Sequence, residues 1–306
     1  MIRVENLVKT YGSVCALDGL SLNVESGAVY GFLGPNGAGK TTSMRILSGL
    51  ARPESGRAWI LGKEIGQPGS DVRSLIGVLP EEPAFYGWMT PREYLRDFVA
   101  PLYNIRGQVA VFRADELLET VGLKDAANRR IGGFSRGMRQ RMGLAQALVH
   151  RPPVLLMDEP VSALDPAGRK EVLDLIESLR GQTTILLSTH ILADVERVCD
   201  VIGIIDKGQL VVQSRRDELL ARYVTPLFEI ESDNGFGHWL EWVEKQAFVT
   251  NVTVLNHTAR VLVKDVHKAQ KALLESLARD ALSVRRFEVV QPSLEDIFLR
   301  LTGKEA

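Results

Sequence analysis

Short apolar runs alternate with helical patterns along the first two-thirds of the chain. Residues 28–34, 153–158 and 184–190 are mostly apolar and short, as expected of strands that are buried on both faces. Residues 40–50 and 168–181 instead place apolar side chains at helical spacing. Strands that alternate with helices in this way predict an α/β fold around a largely parallel sheet.

Two stretches interrupt this alternation. Residues 86–150 contain three helical patterns and no convincing strand, so we expect a helical lobe inserted into the first domain. Residues 201–212 form two β-type runs on either side of Lys207 and Gly208, which predicts a hairpin. The first domain is expected to span residues 1–215.

The remainder of the chain has a different pattern. Strand and helix signals follow in the order β-α-β-β-α-β, which is typical of a small ferredoxin-like module. Val252 and Val254 alternate with polar residues, as do Val261 and Val263, so the middle pair of strands is expected to form a hairpin with one buried face. We therefore predict a second, α+β domain over residues 222–306.

The composition is that of an ordinary globular protein. The 306 residues are 45% hydrophobic and 25% charged, with a net charge of −1, which gives no support to a surface for nucleic acid or anionic lipid. No apolar run approaches the roughly 20 residues that cross a bilayer, and the N-terminal segment does not resemble a signal peptide. Two cysteines, Cys15 and Cys199, are too few for a disulfide framework and are expected to act as small apolar residues. These features indicate a protein of a reducing compartment.

A glycine-rich motif, GPNGAGKTT, follows the first buried strand and opens a helix. Its glycines let backbone N–H groups surround a phosphate, and the helix adds the positive end of its dipole. Lys40 is expected to reach the β- and γ-phosphates, and the Thr41 hydroxyl to hold Mg²⁺. The motif predicts a nucleoside triphosphate site with the contacts Gly34, Pro35, Asn36, Gly37, Ala38, Gly39, Lys40, Thr41 and Thr42.

Two acidic residues end a second buried strand, in the segment LLMDEP. Asp158 would lie at the edge of the sheet where the glycine-rich loop begins, and there it can help to hold Mg²⁺. The side chain of Glu159 is expected to point in a different direction from that of Asp158, and it could polarise an attacking water. Because phosphoryl transfer depends mainly on positioning and charge neutralisation, these are suitable roles for the pair.

Five motifs in order, GPNGAGKTT, FSRGMRQR, LLMDEP, SALDP and LLSTH, resemble those of the nucleotide-binding subunit of an ABC transporter. Their order and approximate spacing match over residues 1 to about 215, so the set is far more specific than any single motif. The resemblance implies ATP and Mg²⁺ as ligands. It also implies a P-loop ABC cassette with a mainly parallel sheet, N-terminal β hairpins and an inserted helical lobe.

The resemblance assigns roles to further residues. Tyr11 matches the aromatic residue that stacks on adenine, and His190 matches the histidine that contacts the γ-phosphate. Ser135 and Gly137 fall on the signature motif, which binds the γ-phosphate of ATP held by a second copy. Asp165 matches the loop that crosses the dimer interface.

Three positions depart from the common pattern of the family. Arg136 stands where the signature has its first glycine, and Met138 stands where it has glutamine. Glu81 replaces the loop glutamine that touches Mg²⁺ or the attacking water. A carboxylate there could coordinate Mg²⁺ more strongly, but its charge would repel the γ-phosphate.

These departures and the C-terminal segment PSLEDIFLRLTG resemble a bacterial and archaeal branch in which the ATPase is a separate polypeptide. We therefore expect an exporter motor in which two copies, or a copy and a paralogue, close head to tail around ATP. Separate membrane subunits would hold it at the cytoplasmic face of the membrane.

Two alternatives stay open. One is a soluble ABC ATPase that acts on the ribosome or on nucleic acid. It is disfavoured because the chain has one phosphate loop and neither long heptad repeats nor zinc motifs. The other is an importer subunit, whose C-terminal domain would more often be a small β-barrel. No nucleic-acid partner is expected.

Overall fold

The computed structural model describes residues 1–68, 70–222, 227–290 and 294–301 of the chain. The fold separates into two compact units, Met1–Arg216 and a second unit that begins at Asp217. None of the helices in the described ranges is long and apolar enough to span a membrane.

Strands of the first unit form two sheets. Their bounds are β1 (Ile2–Tyr11), β2 (Val14–Val24), β3 (Val29–Leu33), β4 (Ser55–Ile60), β5 (Lys63–Glu64), β6 (Ile76–Leu79), β7 (Val154–Asp158), β8 (Thr184–Thr189), β9 (Val201–Asp206) and β10 (Gln209–Arg215). One sheet is antiparallel, with the order β2-β1-β4-β5. The other has the order β10-β9-β3-β8-β7-β6 and is parallel except for the β9–β10 hairpin.

The apolar residues of the central strands explain why the parallel sheet is buried. Every residue of β3, β7 and β8 is buried, because neighbouring elements cover both faces of the sheet. The register pairs Leu33 with Thr189 and Asp158 with Ser188, so these strand ends meet at one edge. The predicted α/β fold with a mainly parallel sheet is confirmed.

Helices connect and flank these strands. They are α1 (Lys40–Leu47), α2 (Pro91–Glu93), α3 (Ala100–Leu102), α4 (Gly107–Thr120), α5 (Arg136–Leu148), α6 (Pro166–Ser178) and α7 (Leu192–Val198). The next helix, α8 (Arg216–Arg222), follows β10 at the boundary between the two units. A π-helical turn, Tyr94–Val99, joins α2 to α3. No strand lies between β6 and β7, a stretch that the structure describes without a gap. This is the helical lobe that the sequence predicts.

The second unit is an antiparallel sheet with helices. Its elements are β11 (Leu227–Ser232), α9 (Trp239–Glu244), β12 (Val249–Leu255), β13 (Thr258–Val263), α10 (Val266–Arg279), β14 (Val284–Val290) and α11 (Leu294–Leu301). The sheet order is β12-β13-β11-β14. The predicted β-α-β-β-α-β succession is therefore confirmed. Part of the segment PSLEDIFLRLTG lies outside the described residues.

One detail of the predicted hairpin is wrong. Val261 and Val263 are fully buried, but Val254 is 43% exposed and Val252 is only partly buried. The reason is the position of β12 at the edge of the sheet, where only one neighbouring strand covers it. Along β12, Val252 still packs against the core of this unit, whereas Val254 does not lie on the predicted buried face.

Candidate functional site

The glycine-rich loop connects the end of β3 to the start of α1 and is closely surrounded by backbone. Gly39 precedes α1 with φ 110°, and a Cβ atom at this position would lie 2.5 Å from the Ala16 carbonyl oxygen. A Cβ atom on Gly34 would lie 2.4 Å from the Ile205 carbonyl oxygen. Only glycine fits at either position, and the loop is thereby held at the N-terminus of α1.

Replacing Gly39 with alanine should weaken ATP binding at least about tenfold, because the clash with Ala16 displaces the phosphate-binding backbone. Gly49→Ala is the matched control: Gly49 follows the same helix with φ 75°, but a Cβ atom there meets nothing within 4 Å. Calorimetric titration with ATP measures both variants. Equal affinities for the two variants would contradict the expected steric effect.

Lys40 is buried at the mouth of this loop. Its Nζ atom donates hydrogen bonds to the carbonyl oxygens of Gly34, at 2.7 Å, and Pro35, at 3.2 Å. Burial lowers the pKa of Lys40, while the carboxylates of Glu159, Asp158 and Glu81 act in the opposite direction. The ammonium group thus stands among three acidic side chains, at the place where a phosphate chain would need a cation.

The strand ends carry the acidic side chains predicted for the site. Asp158 accepts a short hydrogen bond from the Ser188 hydroxyl on the neighbouring strand. The Glu159 carboxylate lies 2.9 and 3.0 Å from Nδ1 of His190, which directly follows β8. Glu159 has φ 49°, a left-handed conformation that is costly for a residue with a side chain. Its amide donates to the Ser188 carbonyl oxygen at 3.0 Å, which helps to hold this conformation.

These groups surround one cavity of about 540 Å³. Most predicted contacts of the loop line it, together with both strand-end carboxylates and the histidine: Asn36, Gly37, Gly39, Lys40, Thr41, Thr42, Glu81, Asp158, Glu159 and His190. Gly34, Pro35 and Ala38 belong to the loop but do not line the cavity. Sequence reasoning missed Val14, Ala16 and Ser162, which line it as well. Ser162 is the first residue of the motif SALDP, which was the available signal for it, whereas Val14 and Ala16 lie in an uninterrupted apolar run that no motif marks.

Four other predicted site residues do not line this cavity. Tyr11 is 46% exposed at the end of β1, where its register partner is the cavity residue Val14. Ser135 caps α5 by accepting a hydrogen bond from the Met138 amide at 3.2 Å, and Gly137 lies in the first turn of α5. Asp165 caps α6. The signature residues Ser135 and Gly137 therefore lie at the start of α5 and do not line the cavity of the glycine-rich loop in the same chain.

Two of the three positions that depart from the family pattern, Glu81 and Arg136, line the same cavity. Glu81 lines both the 540 Å³ cavity and a neighbouring cavity of about 510 Å³. Glu82 and Arg136 also line the second cavity, and their charged groups are 3.8 Å apart. Both side chains are largely exposed, so this ion pair contributes little to stability.

The cavity suits a metal ion that is bound mainly through a nucleotide. Within the described residues, no group of three or more His, Cys, Asp or Glu side chains is arranged to hold a metal ion. Thr41 and Asp158 nevertheless both line the cavity and offer the oxygen ligands that Mg²⁺ prefers. Phosphate oxygens would have to complete such a site.

Comparison with known proteins agrees with this geometry. Residues 17–162 match the ABC transporter family, and residues 215–302 match the C-terminal domain of DrrA1-3-like ATP-binding proteins. An uncharacterized ABC transporter ATP-binding protein of Bacillus subtilis is 41% identical over 98% of this chain and 99% of its own length. The daunorubicin resistance ATP-binding protein DrrA3 of Streptomyces coeruleorubidus is 36% identical over 99% of this chain and 96% of its own.

The fold has a close structural counterpart. A dimeric ATP-binding cassette in a post-hydrolysis state, with bound ADP and Pi, superposes with a TM-score of 0.65 at 26% identity. The match covers 70% of this chain and 98% of the cassette. Because the relatives match over nearly the whole chain and the cavity has the composition of an ATP site, the protein belongs to the family of ABC transporter ATP-binding subunits, which hydrolyse ATP.

Proposed function

We propose that this subunit is the motor of an exporter and that two copies close head to tail around ATP. The supporting observation is that the predicted site residues lie in two separate parts of the chain's fold. The glycine-rich loop, Glu159 and His190 share one cavity, whereas Ser135 and Gly137 lie elsewhere at the start of α5. A second copy in head-to-tail orientation would bring its α5 to this cavity, and the positive end of a helix dipole suits the γ-phosphate.

Each group of residues in the cavity has its own role in ATP binding or hydrolysis. The amides of the loop and the Lys40 ammonium bind and orient the phosphate chain. Thr41 and Asp158 would hold Mg²⁺, which neutralises phosphate charge when bound. Glu159 polarises the attacking water, and His190, in contact with the Glu159 carboxylate, orients that carboxylate and reaches the γ-phosphate. Glu81 adds a charge near the metal position, and Tyr11 would stack on adenine.

A groove on the helical lobe is the proposed contact with a membrane subunit. Leu50, Phe98 and Leu102 line a cavity of about 270 Å³. Leu50 is 78% and Leu102 68% exposed, an unusual exposure for large apolar side chains that face a common groove. Phe98 also packs against Tyr86, with ring centroids 5.2 Å apart. The ring contact connects the groove to the loop that carries Glu81, so a cytoplasmic helix of a membrane subunit seated there could sense the ATP site.

Leu102→Glu should abolish retention of the protein on membranes that contain its membrane subunit, because a charge would be buried in the apolar contact. Phe112→Glu is the control, since Phe112 is 66% exposed on α4 and does not line the groove. Sedimentation of the co-expressed complex gives the readout, and thermal unfolding verifies the fold. Retention of both variants would reject this docking site.

Hydrolysis stimulated by nucleic acid, and not by the membrane subunit, would reject the transporter role proposed here.

Export is favoured by the relatives and by the second unit. One relative is named for resistance to daunorubicin, and the C-terminal match is to proteins of the same type. The second unit contains a sheet packed with helices and not a β-barrel in the described residues. The protein would act at the cytoplasmic face of the membrane, held there by its membrane subunits.

A further inference from the structure

The start of α5 packs against residues 159–164, the segment that follows β7. A Cβ atom on Gly137 would lie 3.3 Å from Cδ2 of Leu164 and 3.4 Å from the Ala163 carbonyl oxygen. One turn later, the Gln140 side chain reaches the same segment, and its Nε2 atom donates to the Glu159 carbonyl oxygen at 3.4 Å. Two successive turns of α5 therefore touch residues 159–164.

Gln140 is an unusual residue for its position. It is only 2% exposed, on a helix whose other buried side chains are apolar. A buried amide is costly unless it forms hydrogen bonds, so its contact with Glu159 accounts for a polar residue here. The contact is long for a hydrogen bond, and a shift of α5 by about half an ångström would tighten or break it.

The partner of Gln140 is the most strained residue of the site. Glu159 has a positive φ, and its carbonyl oxygen also accepts from the Ser162 hydroxyl at 3.2 Å. Hydrogen bonds to this carbonyl determine the orientation of the peptide, and through it the direction of the Glu159 carboxylate. A displacement of about 1 Å at such a group can lower the rate strongly.

We propose that Gln140 is a positioning residue that couples α5 to the carboxylate of Glu159. The inference rests on the proposed function, in which Glu159 polarises water and Ser135, at the start of the same helix, touches ATP held by a second copy. Binding of that ATP would move α5 and, through Gln140, align Glu159 in the other site of the dimer. Hydrolysis at one site would thus depend on occupancy of the opposite site.

Gln140→Met keeps the size of the side chain and removes its donor. We expect kcat to fall about tenfold with the KM for ATP changed less than about twofold. Gln146→Met is the matched control on the same helix, because the Gln146 Oε1 atom accepts a hydrogen bond from the Tyr94 hydroxyl and not from the segment after β7. It should reduce thermal stability at least as much as Gln140→Met and leave kcat within about twofold. Equal kcat values for the two variants would overturn the proposal.

Gln140→Glu adds a readout that a purely structural role would not change. An ionised carboxylate cannot donate to the Glu159 carbonyl oxygen, whereas a protonated one can. Burial and the nearby Glu159 carboxylate would raise the pKa of the introduced group. The kcat deficit relative to the unsubstituted protein should therefore shrink as pH falls from about 8 to about 6. A deficit that does not change with pH would contradict the role as donor.

The variant Glu159→Gln distinguishes a failure of the proposed role of Glu159 from a failure of the proposed role of Gln140. If that variant hydrolyses ATP normally, the proposed role of Glu159 fails and the role of Gln140 fails with it. If Glu159→Gln is inactive while Gln140→Met behaves like Gln146→Met, only the coupling through Gln140 is rejected.

Discussion

Replacing Glu159 with glutamine should lower ATP turnover at least about a hundredfold while ATP affinity changes by no more than about threefold. Glutamine has the same shape, so it can occupy the buried position beside His190 without disturbing the glycine-rich loop. It cannot accept a proton from the attacking water. With binding retained and hydrolysis lost, the ATP-bound closed dimer should accumulate.

Single-turnover hydrolysis, ATP titration and size-exclusion chromatography with ATP measure these three effects. Glu171→Gln is a suitable control, since this carboxylate is exposed and pairs with Arg141 outside the cavity. Normal steady-state hydrolysis by Glu159→Gln would remove Glu159 from its proposed role. Loss of hydrolysis without any ATP-dependent dimer would instead reject the closed dimer.

Two inactive variants should restore activity when they are mixed. Lys40→Met removes the ammonium group that is proposed to bind the phosphate chain and that donates to the Gly34 carbonyl oxygen. Ser135→Asp keeps a side chain that caps α5 but directs a negative charge at a γ-phosphate held by another copy. Each variant alone should retain less than about 5% of normal hydrolysis, because every site in its dimer lacks one essential group.

In an equal mixture about half of the dimers are mixed, and each mixed dimer contains one site with both groups intact. Hydrolysis should therefore recover to about a quarter of normal if the sites act independently, and to less if, as proposed for Gln140, hydrolysis at one site depends on ATP in the opposite site. The control mixes Lys40→Met with the double variant, which contains no intact glycine-rich loop and should stay inactive. Full hydrolysis by Ser135→Asp, in a protein that remains a single copy with ATP, would show that the site is complete within one chain.

Much of the fold is predictable because its signals are local. The apolar runs at 28–34 and 153–158 become β3 and β7, and the helical patterns between residues 86 and 150 become the lobe. The glycine-rich loop is recognisable because its motif, Gly34 and Gly39 followed by Lys40 and Thr41, lies within eight consecutive residues. The prediction was weaker where exposure depends on neighbouring strands, as for Val254 on the edge strand β12.

Parts of the site could not be predicted from motifs. Val14 and Ala16 line the cavity because the strand β2 approaches the loop from a distant part of the chain. The ion pair of Glu82 and Arg136 likewise joins residues more than 50 positions apart. No periodic pattern and no characteristic spacing in the sequence marks either the approach of β2 to the loop or this ion pair.

By itself, the amino-acid sequence determined the parallel sheet and the motifs that predict a phosphate-binding loop and two strand-end carboxylates, because these depend on short-range patterns. Only the tertiary structure decided which of these groups share a cavity. It places Glu159 against His190, separates Ser135 from the loop of its own chain, and sets Gln140 against the backbone of Glu159. These relations depend on how strands and helices pack, and packing joins residues whose separation in the chain carries no signal.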